Sequence, residues 1–218
     1  MKPNRDTAYL TIATSIIAAL IIILMQPMQN LFFKLPDNFR HLISFLPLLC
    51  FVWLIVFVIS ILKYTNEKPF IINTFIIYLI FCSLHGGISI TMTFLHVSAQ
   101  SLIMFYQVTA VIKLLVIIGL IVAAFALRPA QFRLPLRFFA LGELFIMLFY
   151  IVIPPLLILT GVSNYRDYIR YSGLVNLIIP AAGVYIAVTV LNVIGKQQFE
   201  QRFQDIDKQY LPDDKTGM

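Results

Sequence analysis

Charge is scarce in this sequence. Only 12% of its 218 residues are Asp, Glu, Lys or Arg, about half of the ~25% usual in a soluble domain. That deficit excludes an ordinary cytosolic enzyme, a disordered chain and a nucleic-acid binder. Acids are scarcest of all. There are ten, and five of them (Glu200, Asp205, Asp207, Asp213, Asp214) crowd into the C-terminal tail. Inside the long apolar runs there is one acid, Glu143. A membrane protease that works with paired carboxylates needs two at matching depth, so that class is excluded.

Cysteine and histidine are equally sparse. Cys50 and Cys82 both sit in apolar runs and form no C-x-x-C pair. They read as two small buried hydrophobes. The histidines are His41, His85 and His96, and none lies in an H-E-x-x-H frame. His85 and His96 are eleven residues apart, about 16 Å along one helix face and too far to share a metal. Neither a metal nor a cofactor is expected. No G-x-S-x-G frame or phosphate-binding loop occurs, so an enzyme is not expected either.

Apolar residues are abundant, at 60%, and the mean hydropathy is +0.90. Crossing a bilayer takes about 20 predominantly apolar residues. Six segments meet that need, at about 8–25, 42–62, 70–95, 102–127, 138–159 and 171–194. The expected fold is all-α, a polytopic bundle of six transmembrane helices over residues 1–195, with a tail at 196–218. The first span follows Lys2 and Arg5 like a signal peptide, but no small-residue cleavage site comes after it, so it reads as an uncleaved helix. The residues reveal no internal repeat.

Basic residues set the expected orientation. With the N-terminus in the cytoplasm, eleven Lys/Arg fall inside and four (Lys34, Arg40, Arg166, Arg170) fall outside. The positive-inside rule then puts both termini in the cytoplasm. The expected location is a bacterial cytoplasmic (inner) membrane, with the lipid bilayer as the main partner.

Two segments outside the spans carry some pattern. Asn30 to Leu35 holds a Phe pair and suits either a short interfacial helix or an irregular loop touching lipid. In the tail, Phe199, Phe203, Ile206 and Tyr210 are spaced 4, 3 and 4 apart. They define one face of an amphipathic helix over 196–210, which Pro212 stops. The tail is near neutral, so it suits the protein's own bundle or a protein partner better than an anionic membrane surface.

Polar residues inside the spans are the candidate site. Ionisable groups at membrane depth usually face the bundle interior or a wet cavity. Lys113 lies 15 residues from Arg128, about 22 Å from the inner face. Snorkelling to the outer face is the competing reading. Glu143 lies six residues past Arg137, about 9 Å up. On that count the two are offset by about 13 Å, no direct pair is expected, and Arg133 and Arg137 are the nearer partners for Glu143. Level with Lys113 come His85, Asn176 and the helix-break candidates Gly86, Gly87, Pro154, Pro155 and Pro180. This outer-half layer reads as a cavity open to the outside, against the plainer reading of kinks and packing devices. Small pairs four apart (Ser15/Ala19, Gly119/Ala123, Gly183/Ala187) suit close helix packing.

Two function classes follow. The first is a small transport-type protein or solute-binding membrane subunit, with Lys113 as counter-charge to a small anion. The second is a non-enzymatic accessory, assembly or immunity-type membrane protein, acting through helix packing and its cytoplasmic tail.

Overall fold

The computed structural model describes the backbone of residues 3–25, 37–95, 97–159 and 172–210. Within these stretches, the side chains of residues 37–42, 93, 99, 103, 158 and 199–210 lie outside the description, and the Asn30–Leu35 segment lies outside the described residues altogether. Among the described residues there are six long helices: α1 (Arg5–Met25), α2 (Asp37–Tyr64), α3 (Pro69–Phe94), α4 (Ala99–Phe125), α5 (Ala130–Leu159) and α6 (Ile178–Tyr210). A 3-10 turn, Gly173–Leu177, leads into α6. Each helix is long and apolar enough to cross a membrane. The chain is an integral membrane protein with six candidate spans.

Local chemistry explains where the helices start and stop. Asn4 and Thr7 cap α1 reciprocally: the Thr7 N–H donates to Asn4 Oδ1 at 2.8 Å and the Asn4 N–H to Thr7 Oγ1 at 2.9 Å. Both donors would otherwise be orphaned at a helix start. Pro69 opens α3, where a missing N–H costs nothing. Ser98 caps α4 through the Ser101 N–H. Between α2 and α3, Asn66 adopts a left-handed backbone (φ 51°), which Asn tolerates better than most residues. That turn aims Glu67 inward, where its Oε1 accepts the Arg128 N–H at 2.9 Å.

Each helix packs on its neighbours in sequence, and α6 closes on α1, so the six form a ring. The closure depends on glycine. A Cβ at Gly183 of α6 would run into Ser15 of α1 and Leu54 of α2. The Ser15/Ala19 and Gly183/Ala187 spacings therefore bring these backbones together, as small residues do where lipid offers no hydrophobic drive. A Cβ at Gly142 of α5 would likewise meet Ile178 of α6, at 2.5 Å. Trp53 of α2 donates to Thr11 Oγ1 of α1 at 3.1 Å.

The core is concentrated toward one end. Pro3, Tyr64, Gln131 and Val193 gather round one groove, which marks the end of the bundle nearest both described termini. Here it is called the terminal end. Phe57, Ile61, Ile71, Phe75, Leu120, Leu136, Phe139 and Ile186 are fully buried in its core. On the outside, large side chains such as Leu20, Leu49, Ile80, Leu115, Leu148 and Val188 are exposed. An apolar surface of that extent is one that lipid covers.

The helix ends correct several sequence expectations. The fifth helix starts at Ala130, eight residues before the expected span at Phe138. Its extra turns carry Arg133 and Arg137, which are accommodated because they serve the end of α4. Arg133 donates to the carbonyls of Leu127 and Arg128, both at 2.9 Å, and Arg137 to that of Phe125 at 3.4 Å. The Arg137 guanidinium also lies 4.4 Å from the Phe125 ring centroid. Arg137 thus meets an orphan carbonyl at the negative end of α4 and Arg133 meets two carbonyls of the turn that follows, so they are not the partners of Glu143. The expected breaks at Gly86, Gly87, Pro154 and Pro155 are absent, and α3 and α5 run through them as continuous helices. Cys50 and Cys82 are both free.

Candidate functional site

A cavity of about 200 Å³ lies inside the ring, lined from every helix except α3. Its polar wall consists of Lys113 from α4, Glu143 from α5, Asn176 from the 3-10 turn and Ser15 from α1. Its apolar wall includes Ile22, Phe51, Leu54, Ile146 and Ile179. Pro47, Cys50 and Pro180 complete the lining around the α2 and α6 segments.

The helix register explains how Lys113 and Glu143 come to share it. Lys113 is 12 residues from the α4 end at Phe125, about 18 Å along the axis. Glu143 is 13 residues from the α5 start at Ala130, about 20 Å. The two are level. The offset of about 13 Å expected from sequence disappears because α5 begins at Ala130, eight residues before the Phe138 that its hydropathy suggests.

Glu143 is buried, with 5% of its surface exposed. Lys113 and the Tyr78 hydroxyl are the polar groups that act on it. Tyr78 is fully buried and packed edge-on against Phe51 and Phe139 (ring centroids 5.9 and 6.0 Å). α3 therefore backs the site with Tyr78 and Cys82 without lining it. Among the described residues neither Lys113 nor Glu143 is held in an ion pair. A lysine and a glutamate from different helices thus face one small space in a setting where charge is expensive.

Asn176 is fixed by its neighbours. Its Nδ2 donates to the Tyr150 hydroxyl at 3.0 Å, and that hydroxyl donates to the Ser172 carbonyl at 3.2 Å. The amide oxygen of Asn176 has no part in this chain of bonds. Pro180, four residues on, has no N–H for the Asn176 carbonyl. The Ile178 N–H instead serves the carbonyls of Val175 and Asn176. The 3-10 turn is the local consequence, and it lies against the cavity.

His85 is elsewhere. It is stacked between Phe81 and Phe105 (ring centroids 5.7 and 5.4 Å) and edge-on to Tyr106. Its Nδ1 is buried with no partner among the described residues. Tyr106 and Ser89 are hydrogen-bonded beside it. Gly86 lets α3 approach α2, since a Cβ there would sit 2.8 Å from a Leu48 methyl. Gly87 meets nothing within 4 Å.

Of the outer-half layer expected from sequence, the fold gathers Lys113, Asn176 and Pro180 around the cavity and adds Glu143. It leaves His85, Gly86, Gly87, Pro154 and Pro155 outside the lining. Ser15, Cys50, Tyr78 and Cys82 were not anticipated. Ser15 had a signal, as a hydroxyl in an apolar run. The others are ordinary residues of apolar helices until the ring closes. The His41 and His96 side chains, and those of Phe199, Phe203, Ile206 and Tyr210, lie outside the described residues. Among the described residues, no group of three His, Cys, Asp or Glu is placed to hold a metal.

Comparison with known proteins leaves the site to speak for itself. No protein-family model, curated protein or solved structure matches this chain.

Proposed function

We propose that the chain is a small transport-type protein or solute-binding membrane subunit, with a polar ligand cavity at mid-membrane that opens outward. One observation carries this reading: Lys113 and Glu143, on different helices at one level, face a common cavity without being joined in an ion pair. Two charges kept only to pack helices would be expected to meet directly, because each stays expensive until it is paired. The excess of bases in the alternate loops supports a cytoplasmic location for both termini and a bacterial inner membrane. In that orientation the packed terminal end is the cytoplasmic one.

Cysteine labelling tests the proposal. In a Cys50→Ser, Cys82→Ser background, single cysteines replace Lys113, Asn176 and His85 in turn. Intact cells are treated with a membrane-impermeant maleimide. Labelling is expected at 113 and 176, and weakly or not at all at 85, within its aromatic stack. Absence of labelling at 113 and 176, while a cysteine at Asn164, which follows α5 in sequence, still reacts, would overturn the reading.

The accessory or assembly reading has one observation in its favour. α6 runs 33 residues without interruption to Tyr210, about 50 Å against a hydrocarbon core of about 30 Å. Its last turns must therefore project beyond the bilayer, where a partner would meet the face of Phe199, Phe203, Ile206 and Tyr210. This reading predicts that deleting residues 199–218 abolishes function while leaving the cavity labelling unchanged.

A further inference from the structure

The cavity's charges narrow its ligand class. Lys113 alone would suit a small anion, and Glu143 alone a small cation. Together they disfavour either one. An anion drawn to Lys113 would be held in a space that Glu143 also faces, and a cation would meet the reverse problem. At this depth there is little solvent to screen the mismatch. A neutral ligand without charge would leave both groups unsatisfied. The remaining class is a molecule with no net charge and two opposite charged ends.

The rest of the lining agrees. Asn176 holds its Nδ2 on Tyr150, which leaves its amide oxygen as an acceptor for an N–H donor. Ser15 contributes a hydroxyl. Beside these polar groups, Phe51, Leu54, Ile146 and Ile179 present a branched and aromatic apolar wall. The volume, about 200 Å³, is below the ~300–1,000 Å³ of pockets that take drug-sized ligands. It suits a molecule of a few heavy atoms with a short apolar body.

We propose that this cavity binds a small zwitterion with an apolar side chain, of amino-acid size, its carboxylate toward Lys113 and its ammonium toward Glu143. The inference rests on the solute-binding reading above and names its ligand class.

The test is a three-ligand panel on the full chain in lipid nanodiscs, measured by isothermal titration. The ligands are L-leucine, isocaproate (leucine without its ammonium) and isoamylamine (leucine without its carboxylate). Leucine should bind, and each analogue should bind at least about tenfold more weakly. Lys113→Met should erase most of leucine's advantage over isoamylamine, and Glu143→Gln most of its advantage over isocaproate. The native panel decides the matter even if both variants fail to fold. Equal binding of leucine and isocaproate would mean that Glu143 presents no charge to the ligand, and would overturn the proposal. So would equal binding of leucine and isoamylamine, or no binding of any of the three. If the cavity cysteines label but the panel fails, only the ligand class falls. If they do not label, the solute-binding reading falls as well.

Discussion

At the terminal end of the bundle, Ile61, Leu62, Ile71, Leu120 and Leu136 are all but sealed from the surface, and the arginines of α5 bond the last carbonyl of α4 and two carbonyls of the turn after it. Half a helix further along, the same helices part around a cavity, and Lys113 and Glu143 are left facing it. The contrast has a chemical cause. At the terminal end Glu67 and Arg133 find backbone partners, although Glu67 Oε2 and Arg137 Nε are buried without one among the described residues. Glu67 reaches an N–H, and Arg133 reaches two carbonyls. At mid-membrane the backbone is consumed by its own helices. A side chain there finds a partner only in another side chain, in water or in a ligand. The terminal end holds most of the buried core, with a groove at its rim, and the middle holds the cavity lined by Lys113 and Glu143.

The largest expected effect tests this contrast by removing mass from each part. Phe139→Ala empties a fully buried site against Tyr78. In a bilayer the unfolded helix already faces lipid, so little transfer energy is lost and the cavity accounts for most of the cost. Roughly 100 Å³ at about 24 cal/mol per Å³ gives ~2.4 kcal/mol. Ile146→Ala enlarges a space that already exists, where the lost atoms had fewer contacts, and should cost under about 1 kcal/mol. Denaturant unfolding in mixed micelles compares the two. Equal costs would mean that the middle is packed as tightly as the end.

A smaller effect separates two adjacent glycines of α3. Gly86→Leu drives a side chain into Leu48 of α2, and overpacking of this kind costs about 1–3 kcal/mol. Gly87→Ala meets nothing within 4 Å and should stabilise the helix by about 0.5–1 kcal/mol. Thermal unfolding should therefore shift in opposite directions. A shared direction would show that this stretch of α3 is not held against α2 as closely as Gly86 implies.

These differences also show how far the sequence could be read. The six spans were legible because twenty apolar residues in a row have few other uses in a chain this poor in charge. The fifth boundary was not, because Arg133 and Arg137 look like the edge of a membrane until the carbonyls at the end of α4 and in the turn after it are in place to receive them. That single misreading put Glu143 near the surface and away from Lys113. His85 shows a related limit. Its depth was foreseeable, but its ring belongs to Phe81 and Phe105, and helix rise says nothing about the direction in which a side chain points. Lys113, Asn176 and Pro180 were legible as oddities, since each breaks a local rule of membrane helices. Tyr78 and Cys82 break none, and only the ring brings them behind Glu143.

The smallest expected effect concerns what shapes the cavity on its α6 side. Asn176 and Tyr150 join α5 to the 3-10 turn through one hydrogen bond, and Tyr150 extends it to the Ser172 carbonyl. Interhelical hydrogen bonds in membranes average about 0.6 kcal/mol in double-mutant cycles, because the separated helices find other partners. Tyr150→Phe and Asn176→Ala should each cost about that much, with a coupling of similar size in the double variant. The terminal end gives the internal standard: Glu67→Ala and a partner-free surface change such as Leu115→Ala should add without coupling. A coupling near zero between Tyr150 and Asn176 would mean that the 3-10 turn is set by Pro180 alone. The amide of Asn176 would then be free to turn fully into the cavity. A coupling well above 1 kcal/mol would mean that the turn is locked, leaving the Asn176 oxygen as the one fixed acceptor that a bound ammonium would find beside Glu143.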